Sequence, residues 1–222
     1  MSILVVAAHP DDEVLGAGCA IAAHADRGEA VHILIMAAGL DSRGEAATTS
    51  AHDRLKEQAR AAALVLGARS VAFLDFPDNA MDTVGLLHVV KPIEAMIEQT
   101  SPHTVYTHSA SDLNIDHKIT ARAVMTAARP LPGASVKRIL AIEVPSATGW
   151  DAHAAPFQPN TFLDASNTLA RKLAAMECYP DELRSFPHAR SLRGIKARAV
   201  SWGAQVGMPA AEPYQLLRNL QP

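Results

Sequence analysis

The residues best suited to chemistry stand near the start of the chain, in the run His9-Pro10-Asp11-Asp12-Glu13. His9 and Asp12, three residues apart across a turn fixed by Pro10, can bring one imidazole and one carboxylate to the same cation. Asp11 is then left beside the cation but off it, placed to accept a proton from bound water. A catalytic zinc takes three protein ligands and keeps a position for water, whose pKa it lowers toward neutrality. A further ligand must therefore come from elsewhere. The same acids also suit a helix N-terminus, with Asp11 or Asp12 as a cap and Glu13 set favourably against the helix dipole. The pentapeptide alone does not separate the two uses, which are compatible.

A second stretch couples acids to histidines, from Thr107 through His108, Asp112, Asn114 and Asp116 to His117. His117, at the entry to a helix, is the natural third ligand. Asp116 can orient a neighbouring polar group, while Asp112 and Asn114 shape the loop or meet substrate. An Asx-rich turn with an N-capping acid is the plain alternative. Two such loops at strand ends of one sheet favour a metal site over two unrelated caps.

The elements that must position these loops follow from hydropathy. Ile3–Ala7 is a continuous apolar run, the mark of a strand buried on both faces. A helix pattern runs from about Val14 to Arg27 and stops at Gly28. Further strands are expected at Val31–Met36, Ser70–Leu74, Thr104–Thr107 and Arg138–Val144. Helices are expected at about Ser50–Leu66, Val84–Glu98 (with Pro92 inside it) and His117–Ala128. This alternation predicts an α/β fold, a mostly parallel central sheet with helices on both faces. Ligands of such sheets bind beyond the carboxyl ends of the strands, where both acidic loops fall. Residues 1–222 read as a single domain, 1–144 as its core and 145–222 as a Pro/Ala-rich connecting segment followed by a C-terminal helical extension. The extension's helices are expected at Ala165–Cys178, Leu192–Val206 and Glu212–Leu220.

Composition narrows the classes. With 222 residues and 49% apolar content the chain can bury a sizeable core. A net charge of -3 without a Lys/Arg block excludes a nucleic-acid partner. No apolar run is long enough to span a membrane, no signal peptide is evident, and Cys19 and Cys178 lack metal spacing, so a reducing cytoplasm is expected. Of 10 histidines, His24, His32, His52, His88, His103 and His153 lack paired acids at a strand end and read as surface or satisfied core residues. His108 ends a strand beside the second loop. A nicotinamide-dependent oxidoreductase is disfavoured, because acids replace the glycine-rich phosphate loop. A non-catalytic binding module whose acidic loop merely caps a helix stays open.

The segment Ala8-His9-Pro10-Asp11-Asp12-Glu13 resembles the signature of the LmbE-like (PIG-L) zinc de-N-acetylases, and the Asn114–His117 loop resembles their second metal motif. Arg54 and Glu57, Pro77-Asp78-Asn79, Glu143-Val144-Pro145-Ser146 and Phe186–Ser191 also look like family blocks. The resemblance implies a Rossmann-like three-layer fold and one Zn2+ per subunit, or another divalent metal, on His9, Asp12 and His117, with Asp11 as general base. It implies hydrolysis of an N-acetyl or other N-acyl group on a small amino-sugar substrate. Arg54, Asp78, Asn114, Asp116 and Arg190 are the expected substrate contacts. Many members carry a histidine where this chain has Asn114, which cannot deliver a proton near neutral pH. His188 is the expected substitute, reaching the site from the same chain or from a neighbour in a homo-oligomer. An amidase acting on a thiol conjugate or another acylated amine would use the same chemistry.

Overall fold

The structure, a computed structural model, describes residues 1–37 and 49–221. Five strands, β1 (Ser2–Ala7), β2 (Ala30–Ala37), β3 (Ser70–Phe76), β4 (Thr104–His108) and β5 (Arg138–Ile142), pair in parallel. Between them run α1 (Asp12–Asp26), α2 (Thr49–Leu66), α3 (Leu86–Thr100) and α4 (Ile115–Ala127). After β5 come β6 (Thr161–Asp164), α5 (Leu169–Glu177), α6 (Leu192–Val206) and β7 (Ala211–Asn219). The sheet order is β3-β2-β1-β4-β5-β7-β6, with β7 antiparallel to both β5 and β6.

The three layers follow from the strand pleat. Ile3, Val5, Val31, Ile33 and Ile35 face one core, shared with Leu15 of α1, Leu55 of α2, Met176 of α5 and Ile195 of α6. Leu4, Val6, Leu34 and Met36 face the other, with Val89 and Ile93 of α3 and Val124 of α4. Successive residues of each central strand are thus buried on opposite sides, which is why these strands read as unbroken apolar runs. Truncating one of these side chains to alanine costs about 2–5 kcal/mol.

Two elements differ from expectation. Glu212–Leu220 was expected as a helix, but all of it up to Asn219 lies in strand β7. Pro213 within it lacks an N–H and crowds the preceding turn, which disfavours a helix there, and Glu212, Pro213 and Tyr214 pair with Leu163, Phe162 and Thr161 of β6. The end of the connecting segment is correspondingly the short strand β6. Helix α3, by contrast, lies where a helix was expected, with Pro92 inside it. Cys19 is buried and neither cysteine is in a disulfide. No helix among the described residues is long and apolar enough to cross a membrane.

Candidate metal centre

The strand order reverses between β1 and β4, its two outward neighbours in the sequence leading to opposite edges. At such a point the loops leaving adjacent strand ends diverge and open a crevice. The loop after β1 carries His9–Asp12, and the loop after β4 carries Asp112–His117. Topology therefore places the two acidic loops side by side.

His9, Asp12 and His117 each present a ligand atom within 4.8 Å of the others. Asp12 Oδ2 lies 3.4 Å from His9 Nδ1 and 3.1 Å from His117 Nε2, and the two imidazole centroids are 5.4 Å apart. Ligands at about 2.0–2.1 Å from a tetrahedral zinc lie about 3.3 Å from one another, so the spacing fits such an ion. The far side of each ring is held by acid. His9 Nε2 is 3.0 Å from Asp116 Oδ2 and 3.1 Å from Asp78 Oδ1, and His117 Nδ1 is 3.1 Å from Asp112 Oδ2. Carboxylates behind the imidazoles fix their tautomers with lone pairs turned toward Asp12 and raise their basicity.

The field at this point favours positive charge. Burial disfavours a charged His9 ring, yet Asp116, Asp12 and Asp78 outweigh it and raise its pKa well above the usual value. Burial likewise opposes charge on His117, but Asp12 and Asp112 lift it to about 9. Asp12 is held well below the carboxylate range: burial pushes it up, and His117, His108 and His9 bring it down further than that. A divalent cation answers the same field that otherwise holds protons on these rings.

Asp11 occupies the N-cap position of α1 but makes no side-chain cap bond, and its φ is 96°. An aspartate in that left-handed region is uncommon and strained. Its amide donates to Glu13 Oε2 at 3.0 Å, and Glu13 Oε1 accepts from the Tyr179 hydroxyl. Glu13 thus fastens the turn, while the Asp11 carboxylate turns away from the helix to Arg190, Nη1 to Oδ2 3.0 Å. The same Arg190 nitrogen donates to Glu182 at 3.1 Å. Burial and the Asp12 charge raise the Asp11 pKa well above normal, against Arg190. Asp12 does not cap either; its Oδ2 accepts from the His9 amide at 2.9 Å.

A cavity of about 230 Å3 opens over these groups, lined by His9, Asp11, Asp12 and His117 and also by Asp78, Asn114 and Arg190. Asn114 caps α4, accepting from the amides of Asp116 and His117, and its Nδ2 donates to Asn79. Asp116, expected at the substrate, is fully buried behind His9, where it also accepts from the amides of Asn79 and Met81. Arg54 does not line the cavity; it is exposed on α2, 3.7 Å from Asp181. His188 is exposed, its Nδ1 accepting from the Arg190 amide, and likewise does not line the cavity. Glu182 and Arg184, which do line it, lie in no motif that marked them. His108 stacks on His117 at 3.9 Å and accepts the Ala8 amide through Nε2, and burial lowers its pKa to about 3. It is a neutral strut tying the first loop to β4.

The family model for PIG-L, GlcNAc-PI de-N-acetylase, matches residues 4–128. A 4-oxalmesaconate hydratase of Pseudomonas putida is 33% identical over 99% of this chain and 88% of its own. The crystal structure of the 4-carboxy-2-hydroxymuconate hydratase of the same organism superposes with a TM-score of 0.77 at 26% identity, covering 100% of this chain and 98% of that one. The N,N'-diacetylchitobiose deacetylase of Pyrococcus horikoshii has the same fold, with a TM-score of 0.79 at 17% identity over 98% and 84% of the two chains. With its two loops converging as they do, and relatives that include both deacetylases and hydratases, the chain belongs to the PIG-L, or LmbE-like, family.

Proposed function

We propose that the protein is a zinc-dependent hydrolase that removes an N-acyl group, acetyl in the simplest case, from a small amino-sugar compound. The observation that carries this reading is Asp11: it holds the N-cap position yet leaves the helix uncapped, at the cost of a strained backbone, and points its carboxylate into the cavity beside the cluster. A purely structural acid would cap. His9, Asp12 and His117 are the residues that would hold the ion, which when bound supplies a water of lowered pKa and an electrophile for the amide carbonyl.

The chain's own residues then account for the protons. Asp11 accepts one from the attacking water and returns it to the departing nitrogen as the C–N bond breaks. The water's oxygen thus ends on the acyl carbon and its hydrogen on the amine. Both transfers are assigned to Asp11, since neither of the two other groups expected to share them, Asn114 and His188, is placed to do so. Asn114 has its oxygen on two helix amides and its nitrogen on Asn79, and it carries no titratable proton. His188 lies outside the cavity. Arg190 anchors the Asp11 carboxylate, and Asp78 and Asn79 offer polar contacts to the sugar.

A second reading, water addition to an unsaturated carboxylate, is favoured by the near full-length likeness to a hydratase and by Arg184 and Arg190 on the cavity wall. Guanidinium forks match carboxylates. One experiment separates the two. Zinc-loaded protein is offered N-acetylglucosamine derivatives, with free amine as readout, and 4-oxalmesaconate, with loss of its conjugated absorbance as readout. Amine release that disappears in Asp11→Asn supports the hydrolase. Absorbance loss without amine release replaces it by the hydratase.

A further inference from the structure

A second hollow, of about 630 Å3, adjoins the metal cavity. Pro145, Thr148 and Trp150 line it, while Ser146 and Ala147, between them in sequence, line the metal cavity. The same division recurs at Ala189 and Arg190. The two spaces share a wall, and that wall is tied to the metal cluster. The Thr148 hydroxyl donates to Asp112 Oδ2 at 2.6 Å, and the same oxygen is 3.1 Å from His117 Nδ1.

The chemistry of the hollow differs from that of its neighbour. Trp150, Phe157 and Trp202 give it aromatic surface, with Pro156 between them. Its charged residues, Glu143 and Arg198, cancel: Arg198 Nε donates to Glu143 Oε2 at 3.1 Å, and Trp202 Nε1 donates to the same oxygen at 2.8 Å. The Arg198 guanidinium also lies 4.8 Å above the Trp202 ring. Among the described residues that line it, no charge is left unpaired to draw an ion, whereas Trp150 keeps 59% of its surface in water, an apolar face with something to gain from cover. The volume falls in the range of small-molecule sites, about 300–1,000 Å3.

We propose that this hollow is a second compartment of the substrate site and takes an uncharged aromatic ring carried by the substrate away from its reacting bond. This rests on the reading that the reaction occurs in the adjoining metal cavity. The substrate is then an amphiphile, with a polar acylated end at His9 and His117 and a flat apolar end between Trp150 and Phe157. A second protein chain is the poorer occupant, since stable association buries about 800 Å2 per partner and this surface is concave.

Trp150 and Trp202 are the chain's 2 tryptophans, so tryptophan emission reports on this hollow alone. Zinc-loaded protein, with a chelated control, is titrated with phenyl β-D-glucoside, which has no amide, and with N-acetylglucosamine, which has no aromatic ring. The expected result is a saturable emission change with the phenyl glycoside in both forms, about tenfold tighter than any with N-acetylglucosamine. Phe157→Ala weakens it about tenfold, and Trp150→Phe, which keeps an aromatic face, retains it with Trp202 as reporter. Since this ligand has no scissile amide, its titration is independent of the reaction, and failure of the deacylase reading shows separately, as no amine release from N-acetylglucosamine derivatives beside a normal titration. No saturable change at millimolar ligand overturns the compartment. So does a change that follows protein concentration rather than ligand, which marks a second copy as the occupant.

Discussion

At the residue scale, function turns on which carboxylates are spent on the imidazoles and which are not. Among the described residues four acids surround the two imidazoles from behind or between, and each is engaged: Asp12 with both rings, Asp78 and Asp116 with His9, Asp112 with His117. Asp11 alone of the first loop's aspartates faces the cavity without touching a ring. Asp11→Asn is therefore expected to keep its metal, measured by elemental analysis, while kcat for amine release falls about 10²–10⁴-fold. Asp112→Asn removes the charge behind His117 and is expected to weaken metal affinity about 10–100-fold, read by competition with a chelator; unchanged affinity would reduce Asp112 to a loop-shaping role. The convergence of His9, Asp12 and His117 was legible in the sequence because the three combine residue type, close spacing and strand-end position. Asp116 and Arg54 were misplaced, since side-chain direction is not written in spacing. Asp116 turns inward to His9 and two amides, and Arg54 stays on the solvent side of α2. Glu182 belongs to no motif, and only the folded chain brings it to Arg190.

At the element scale, α1 must be held so that its N-terminus presents Asp11 and Asp12, and β7 does much of the holding. Glu212 of β7 accepts from the amides of Cys19 and Ala20 inside α1, and Lys172 of α5 bonds both Glu212 and the Leu15 carbonyl, at 2.6 and 2.7 Å. Both charged groups are buried, and Cys19 beside them is pushed up to about 12 by burial and by Glu212, a thiol kept inert. Removing one partner of a buried pair leaves the other uncompensated, at about 3–5 kcal/mol. Lys172→Met is expected to lower Tm by about 10 °C, and adding Glu212→Gln to recover most of the loss. An unchanged Tm in the single variant would show that the pair is not a clamp. This arrangement was hidden in the sequence. Glu212–Leu220 has enough Leu and Gln to read as a helix, and the residue that argued otherwise, Pro213, is intelligible only once β5 and β6 are seen on either side.

At the scale of the whole molecule, the parallel core was legible because its central strands are buried on both faces and its first two helices stop at Gly28 and Gly67, both in the left-handed region. The antiparallel edge was not, because β6 is a four-residue strand in a Pro/Ala-rich stretch whose pairing depends on a distant partner. The order reversal between β1 and β4 sets the site where two separate loops meet, so a cation there links distant parts of the chain. Binding to the folded state alone stabilises it by about 4 kcal/mol at a thousandfold excess over Kd. Chelation is accordingly expected to lower Tm by about 10 °C, and restored zinc to reverse it. A Tm indifferent to chelator would mean that the ion is not integral to the fold.

The central claim is that His9, Asp12 and His117 hold a single divalent ion between them. It is tested most directly by metal content per folded chain, in the natural protein and in His117→Ala, after equilibration with zinc and removal of the excess. The account requires a single ion in the first and none retained in the second, with the circular dichroism of the two alike. Equal metal in both, or none in either, would contradict it.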